Sequence, residues 1–201
     1  NNGWNRRSSV VSNSPGGNLT VKNGAVIEHL GGTDMAYGID NLTNGKGTYA
    51  VTTIEGATIK SSYSAVRQFL NGTEAFNELY VNGGTIDGRN NKSIWMQDPS
   101  KNANTGKLVV EAGAQLKSNV YLSVTAGSTE WPVEVSIASA ALAEGVTVDS
   151  SNVPAKYEVV EENGVWTVIP AVAKVATAEA LAAAVAEGGA IVLTGDITLA
   201  E

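Results

Sequence analysis

Five short stretches, "SSVVSN", "AYGIDN", "YSAVRQ", "NKSIWM" and "NVYLSV", each carry an apolar residue at a near-constant interval. Val11, Ile39, Val66, Ile94 and Leu122 stand 28, 27, 28 and 28 residues apart, although the segments between them share little sequence. A fixed period kept across variable loops signals stacked structural units, each of which buries its apolar face only against its neighbours.

A second phrase falls between these positions. "NGAVI" (23–27), "EGATI" (55–59), "NGGTI" (82–86) and "AGAQL" (112–116) each centre on a glycine, at 24, 56, 83 and 113. Apolar residues precede the turn (Leu19 and Val21, Ile54, Leu79 and Val81, Leu108 and Val110) and follow it (Ile27, Ile59, Ile86, Leu116). Glycine permits a turn that a side chain would penalise, and the flanking β-branched residues suit strands. Each copy reads as strand, tight turn, strand. No sustained 3.6-residue apolar period appears between residues 1 and 170, and propeller blades and helical repeats need longer units. The pattern predicts an all-β parallel β-helix with coils of about 27–32 residues stacked about 4.8 Å apart. Two positions after the stacked apolar residue come Asn13, Asn41 and Gln68, before Met96 and Val124 end the series. These amides read either as a ladder climbing the stack or as ordinary turn residues.

The repeat fades after residue 125. "VEVSI" (133–137) alternates as a strand, "GVTV" (145–148) reads as a last coil, and "YEVVEENGVWTV" (157–168) reads as a β-hairpin with Asn163-Gly164 in a type I′ turn. Trp166 is expected to anchor that hairpin as a cap. After the spacer "AVAKV" (171–175), "TAEALAAAVAEGG" predicts a short helix. Its N-cap is Thr177, its stop Gly188-Gly189, and its apolar stripe Ala178, Leu181, Ala182 and Val185. "AIVLTGDITL" (190–199) is expected to resume strand, turn, strand. The expected organisation is coils over 1–156, a hairpin cap over 157–170, and a linker, helix and strand pair over 171–201.

Composition removes whole function classes. A net charge of -7, with no basic run beyond Arg6-Arg7, argues against a grip on nucleic-acid phosphates. No apolar stretch approaches the ~18 residues of a membrane span. With no cysteine, disulfides, thiolate metal sites and cysteine nucleophiles are excluded. The chain opens on Asn instead of Met, which reads as processing or excision from a longer protein.

A glycosidase needs two carboxyl groups facing each other across the scissile bond, which on a coil stack means matched positions on adjacent coils. Asp40, Asp87 and Asp98 occupy different places in their repeats, and Asp40 is matched by Arg67 and Trp95. Asp87-Gly88 reads as a turn. His29, the single histidine, reads as a solvent-facing loop residue, and no triad, metal-ligand or calcium motif is present. No cofactor is expected. Asn-x-Ser/Thr sequences occur at Asn18, Asn41, Asn71 and Asn91.

Trp4, Tyr37, Tyr63, Trp95, Tyr121 and Trp131 fall in or beside the regular register or its loops. Such rings either pack coil on coil or stack on sugars. Tyr37, Tyr63, Trp95 and Tyr121 are the candidate glycan contacts.

The helix followed by "GGAIVLTGDITL" resembles the opening of many bacterial surface-protein β-helix domains, in which a short amphipathic helix covers the first coil. "GTIDGRNNKSIWMQDPS" and "NGVWTVIP" resemble repeat units of large secreted bacterial and phage proteins. The resemblance implies a right-handed parallel β-helix of the pectate-lyase-like superfold, in adhesin-like proteins at the cell surface or secreted. "TIDG" (85–88) resembles a phrase of pectin hydrolases, but that family's Asn-Thr-Asp, paired-Asp and Gly-His-Gly motifs are absent. In the resembling domains the helix precedes the coils, whereas here it follows them. Either the chain is one unit of a tandem array, or its tail covers the open end of the next molecule. The expected function is a non-enzymatic extracellular structural subunit. It assembles head to tail into a filament or surface array through Leu181, Val185, Ile191 and Leu193. A glycan-binding adhesin or phage receptor-binding module is the alternative.

Overall fold

The structure is a computed structural model that describes residues 8–31, 35–98, 104–124, 128–188 and 190–198; Trp4 and the Arg6-Arg7 pair lie outside these, as does the side chain of Asp98. The chain is all-β, a parallel β-solenoid of about five turns followed by a helix and short strands.

One stack contains β1 (Ser8–Asn13), β4 (Ala36–Lys46), β6 (Ser64–Thr73), β8 (Lys92–Asp98), β11 (Asn119–Val124) and β13 (Val148–Asn152), all parallel. A second stack runs through β2 (Gly17–Val21), β5 (Tyr49–Ser61), β7 (Phe76–Asp87), β9 (Thr105–Val110) and β12 (Val133–Ala138). The long strands β5 and β7 bend midway, so their second halves pair with β3 (Val26–His29) and β10 (Ala114–Leu116) and make a third face.

The bend is the repeated glycine phrase. Beyond it Ile27, Ile59, Ile86 and Leu116 stack in register, and before it Val21, Ile54, Val81 and Val110 do the same. In the third copy the left-handed residue is Gly84, with φ 96°, and not the central Gly83. A Cβ on Gly84 would lie 2.1 Å from the Ala57 carbonyl oxygen, so coil-to-coil contact excludes any side chain there.

In the first stack Val11, Ile39, Val66 and Ile94 align as predicted, but the next member is Val120 and not Leu122. Leu122 instead follows Met96 and closes the row of Asn13, Asn41 and Gln68, in the place expected for Val124. Val120, Leu122 and Val124 differ by two residues, so alternation cannot tell them apart, and a register shift at Asn119 and Val120 decides the matter.

The amide row is a ladder only at its first step. Asn13 Nδ2 donates to Asn41 Oδ1 at 3.0 Å. Asn41 then crosses the interior, donating to Asn77 Oδ1 at 2.7 Å, while Asn77 Nδ2 donates to the Asn41 carbonyl at 2.9 Å. Gln68 Nε2 donates to the carbonyls of Asn77 and Lys107. These buried amides cross-brace the two stacks by hydrogen bonds to one another and to backbone carbonyls across the interior.

The hairpin forms as predicted. β14 (Tyr157–Glu162) and β15 (Val165–Pro170) meet at Asn163 (φ 52°) and Gly164 (φ 79°), and β15 runs antiparallel to β12 with Trp166 opposite Ile137. Trp166 packs against the core. The tail departs from expectation. "AVAKV" is not a spacer: it holds β16 (Ala173–Val175), which pairs in parallel with β17 (Ile191–Leu193) across α1 (Ala178–Glu187). Thr177 caps α1 by accepting from Ala180 N–H at 3.2 Å, and Gly188 (φ 74°) ends it. Ala184 is the buried helix residue, whereas Val185, placed on the predicted apolar stripe, is 62% exposed. The expected second strand after the Gly195 turn does not form within residues 196–198.

Among the described residues, no helix is long and apolar enough to cross a membrane.

Candidate binding site on the solenoid face

Coil stacking turns single positions into rows. One row on the first stack reads Asp40, Arg67, Trp95, Tyr121, Asp149, and the neighbouring row reads Tyr37, Ser64, Lys92, Asn119. The corners before β6 and β8 add Tyr63 and Asn90-Asn91. These rows and corners form two adjoining clusters.

The first cluster is closed. Arg67, 2% exposed, donates from Nε to Asp40 Oδ1 at 2.8 Å and from Nη2 to Oδ2 at 2.5 Å. Its guanidinium lies 4.4 Å from the Tyr37 ring centroid and 4.5 Å from that of Phe69. A bidentate ion pair between two rings is a structural clamp joining coils two and three.

The second cluster is open. Tyr63, Asn90, Asn91, Lys92, Trp95, Asn119, Tyr121 and Asp149 line a cavity of about 430 Å³. Its ring centroids are 5.7 Å apart for Tyr63 and Trp95 and 6.4 Å for Trp95 and Tyr121. Hydrogen bonds fix two of them: Trp95 Nε1 donates to Ser123 Oγ at 2.9 Å, and Asn152 Nδ2 donates to the Tyr121 hydroxyl at 2.5 Å. The Lys92 ammonium sits 4.6, 5.5 and 5.3 Å from the centroids of Tyr63, Trp95 and Tyr121, and donates to Asn91 Oδ1 at 2.6 Å. Burial lowers the Lys92 pKa from its ordinary value, against the opposing pull of Asp149.

The four aromatic residues singled out in the sequence thus come together, but not in one role. Tyr63, Trp95 and Tyr121 are half-buried and face the cavity, whereas Tyr37 is fully buried beside Arg67 and packs against Tyr63 and Trp95 from within. Trp131 is a core residue whose indole donates to the Val133 carbonyl at 2.7 Å. Sequence reasoning missed Lys92 and Asp149, although Lys92 stands three residues before Trp95 and Asp149 shares the Trp95 row.

Asp87 accepts from Arg89 N–H at 2.6 Å, which confirms the turn. His29 ends β3 instead of lying in a loop, with Nε2 2.8 Å from Ser8 Oγ. Asn41, in one Asn-x-Thr sequence, is fully buried. Among the described residues, no group of three His, Asp or Glu side chains is placed to hold a metal ion.

The tail residues lie elsewhere. Leu181 and Ile191 are half-buried within the helix and strand unit, while Val185 and Leu193 (56%) are exposed. A wide groove of about 720 Å³ separates that unit from the hairpin, lined by Tyr157, Pro170, Ala184 and Gly188 among others.

Comparison with protein-family models, with curated proteins and with solved structures finds no match to this chain.

Proposed function

We propose that this protein is a non-enzymatic extracellular or cell-surface structural subunit that assembles head to tail, its C-terminal helix and strands covering the first coil of the next copy. The observation that carries this reading is a gradient of burial along the inward rows. Ile59, Ile86 and Leu116 are fully buried, whereas Ile27 at the head of the same row is only partly buried. Val11 and Leu19 show the same loss relative to Ile39, Val66 and Leu79. The outer edges of β1, β2 and β3 are unpaired among the described residues, leaving backbone donors and acceptors that proteins normally cover. At the other end the unit of β16, α1 and β17 has open strand edges and exposed Val185 and Leu193. A contact between two different ends is heterologous, so it propagates into an open filament.

The test substitutes Val185→Glu with Leu193→Glu, two exposed sites at which folding should be unaffected. Light scattering after gel filtration should show concentration-dependent association for the native chain and a monomer for the variant. Association unchanged in the variant would remove this reading. Deleting residues 171–201 should leave a folded solenoid that does not associate, whereas unfolding of that shortened chain would mean the tail covers its own molecule.

A second reading, a glycan-binding surface module, is favoured by one specific observation: three half-exposed rings from successive coils converge on a single cavity with amide groups.

A further inference from the structure

The aromatic cavity is charge-balanced, and that balance selects its ligand. Lys92 and Asp149 line the same space, together with Asn90, Asn91 and Asn119. An anion drawn to Lys92 meets the Asp149 carboxylate. A cation drawn to Asp149 meets an ammonium already seated against three ring faces. Neither sign of charge gains much. A wholly apolar ligand would strip water from one lysine, one aspartate and three amides without replacing its hydrogen bonds.

A neutral molecule with many hydroxyls avoids all three penalties. Its hydroxyls donate to Asp149 and the amide oxygens, and accept from Lys92 and the amide nitrogens. Its C–H face lies against Tyr63, Trp95 or Tyr121, whose hydrogen bonds to Ser123 and Asn152 hold two of the rings in place before any ligand arrives. At about 430 Å³ the cavity lies near the small end of ligand pockets, which suits one or two sugar rings. Resting on the second reading above, we propose that this cavity binds a neutral pyranoside, with Tyr63, Trp95 and Tyr121 as the stacking surface and Lys92 and Asp149 as the polar contacts. The site lies on the side of the solenoid and not at its ends. A head-to-tail polymer would therefore carry one copy per subunit and bind a polysaccharide multivalently.

The experiment uses the intact chain and follows the Trp95 indole and the Lys92 and Tyr121 amide signals by NMR. The titrants are two sets: methyl glycosides of glucose, galactose, mannose and N-acetylglucosamine, and the methyl glycosides of glucuronate and galacturonate. At least one neutral glycoside should shift these signals, with the uronates about tenfold weaker. Tyr63→Ala should weaken binding about tenfold while the chain stays folded, and Asp149→Asn should close the gap between neutral and acidic sugars. A preference for the uronates would overturn the neutral class while leaving the glycan reading standing. No shift with any sugar would remove both. Binding that survives both Tyr63→Ala and Lys92→Met would place the site elsewhere and overturn the assignment.

Discussion

Truncating one residue of the inward row should cost different amounts at different heights of the stack. Ile86 is fully buried between Ile59 on one coil and Leu116 on the next. Ile86→Ala removes three carbons, about 2.4 kcal/mol at roughly 0.8 kcal/mol per buried carbon. The enclosed cavity it leaves raises the total to about 3–4 kcal/mol. Ile27 has one stacked neighbour, Ile59, among the described residues and is only partly buried. Ile27→Ala therefore forfeits about two thirds or more of the transfer energy but encloses no cavity, a cost of about 1.5–2 kcal/mol. Urea unfolding of each variant at concentrations where the chain is dispersed, with unchanged m-values, should show a gap of about 1.5–2 kcal/mol. At concentrations where copies associate the gap should narrow, because a neighbour's tail then covers Ile27. Equal costs in the dispersed chain would refute the reasoning, since something within the same molecule would have to cover the first coil.

Arg67→Met should destabilise by about 3–5 kcal/mol, because it strands the buried Asp40 carboxylate; adding Asp40→Leu should recover most of that in the same denaturant assay, and additive losses would contradict the clamp. Gly24 and Gly84 both have positive φ, but only at Gly84 would a Cβ strike backbone. Gly24→Ala should thus cost about 1 kcal/mol of strain and Gly84→Ala well over 3 kcal/mol, measured by thermal unfolding. Lys92 has a folded pKa below its unfolded value of 10.5, so the unfolded chain holds more protons between the two. Its contribution to stability should rise with pH through the interval just below 10.5 and be absent from Lys92→Met, as a pH series of paired melts would show.

The parts of the fold legible in the sequence are those where stacking forces one residue type to repeat. The Ile27, Ile59, Ile86, Leu116 row and the Asp40, Arg67, Trp95 row were readable because each coil must offer the same kind of side chain at the same height. The error between Val120 and Leu122 arose where two apolar residues share one parity and a local shift chooses between them. The phase of α1 was misread because a helix of mostly alanine has no sharp apolar stripe, and the partner strand β16 inside "AVAKV" was too short to show a period. The aromatic rings were visible as a group. Their separation into a closed clamp and an open cavity depends on Arg67 and Lys92 choosing different rings, which no spacing encodes.

The most direct measurement of head-to-tail assembly is negative-stain electron microscopy of the purified chain over a range of concentrations. The account predicts unbranched filaments whose axial repeat is one solenoid length and which lengthen with concentration. Dispersed single particles at every concentration would contradict it.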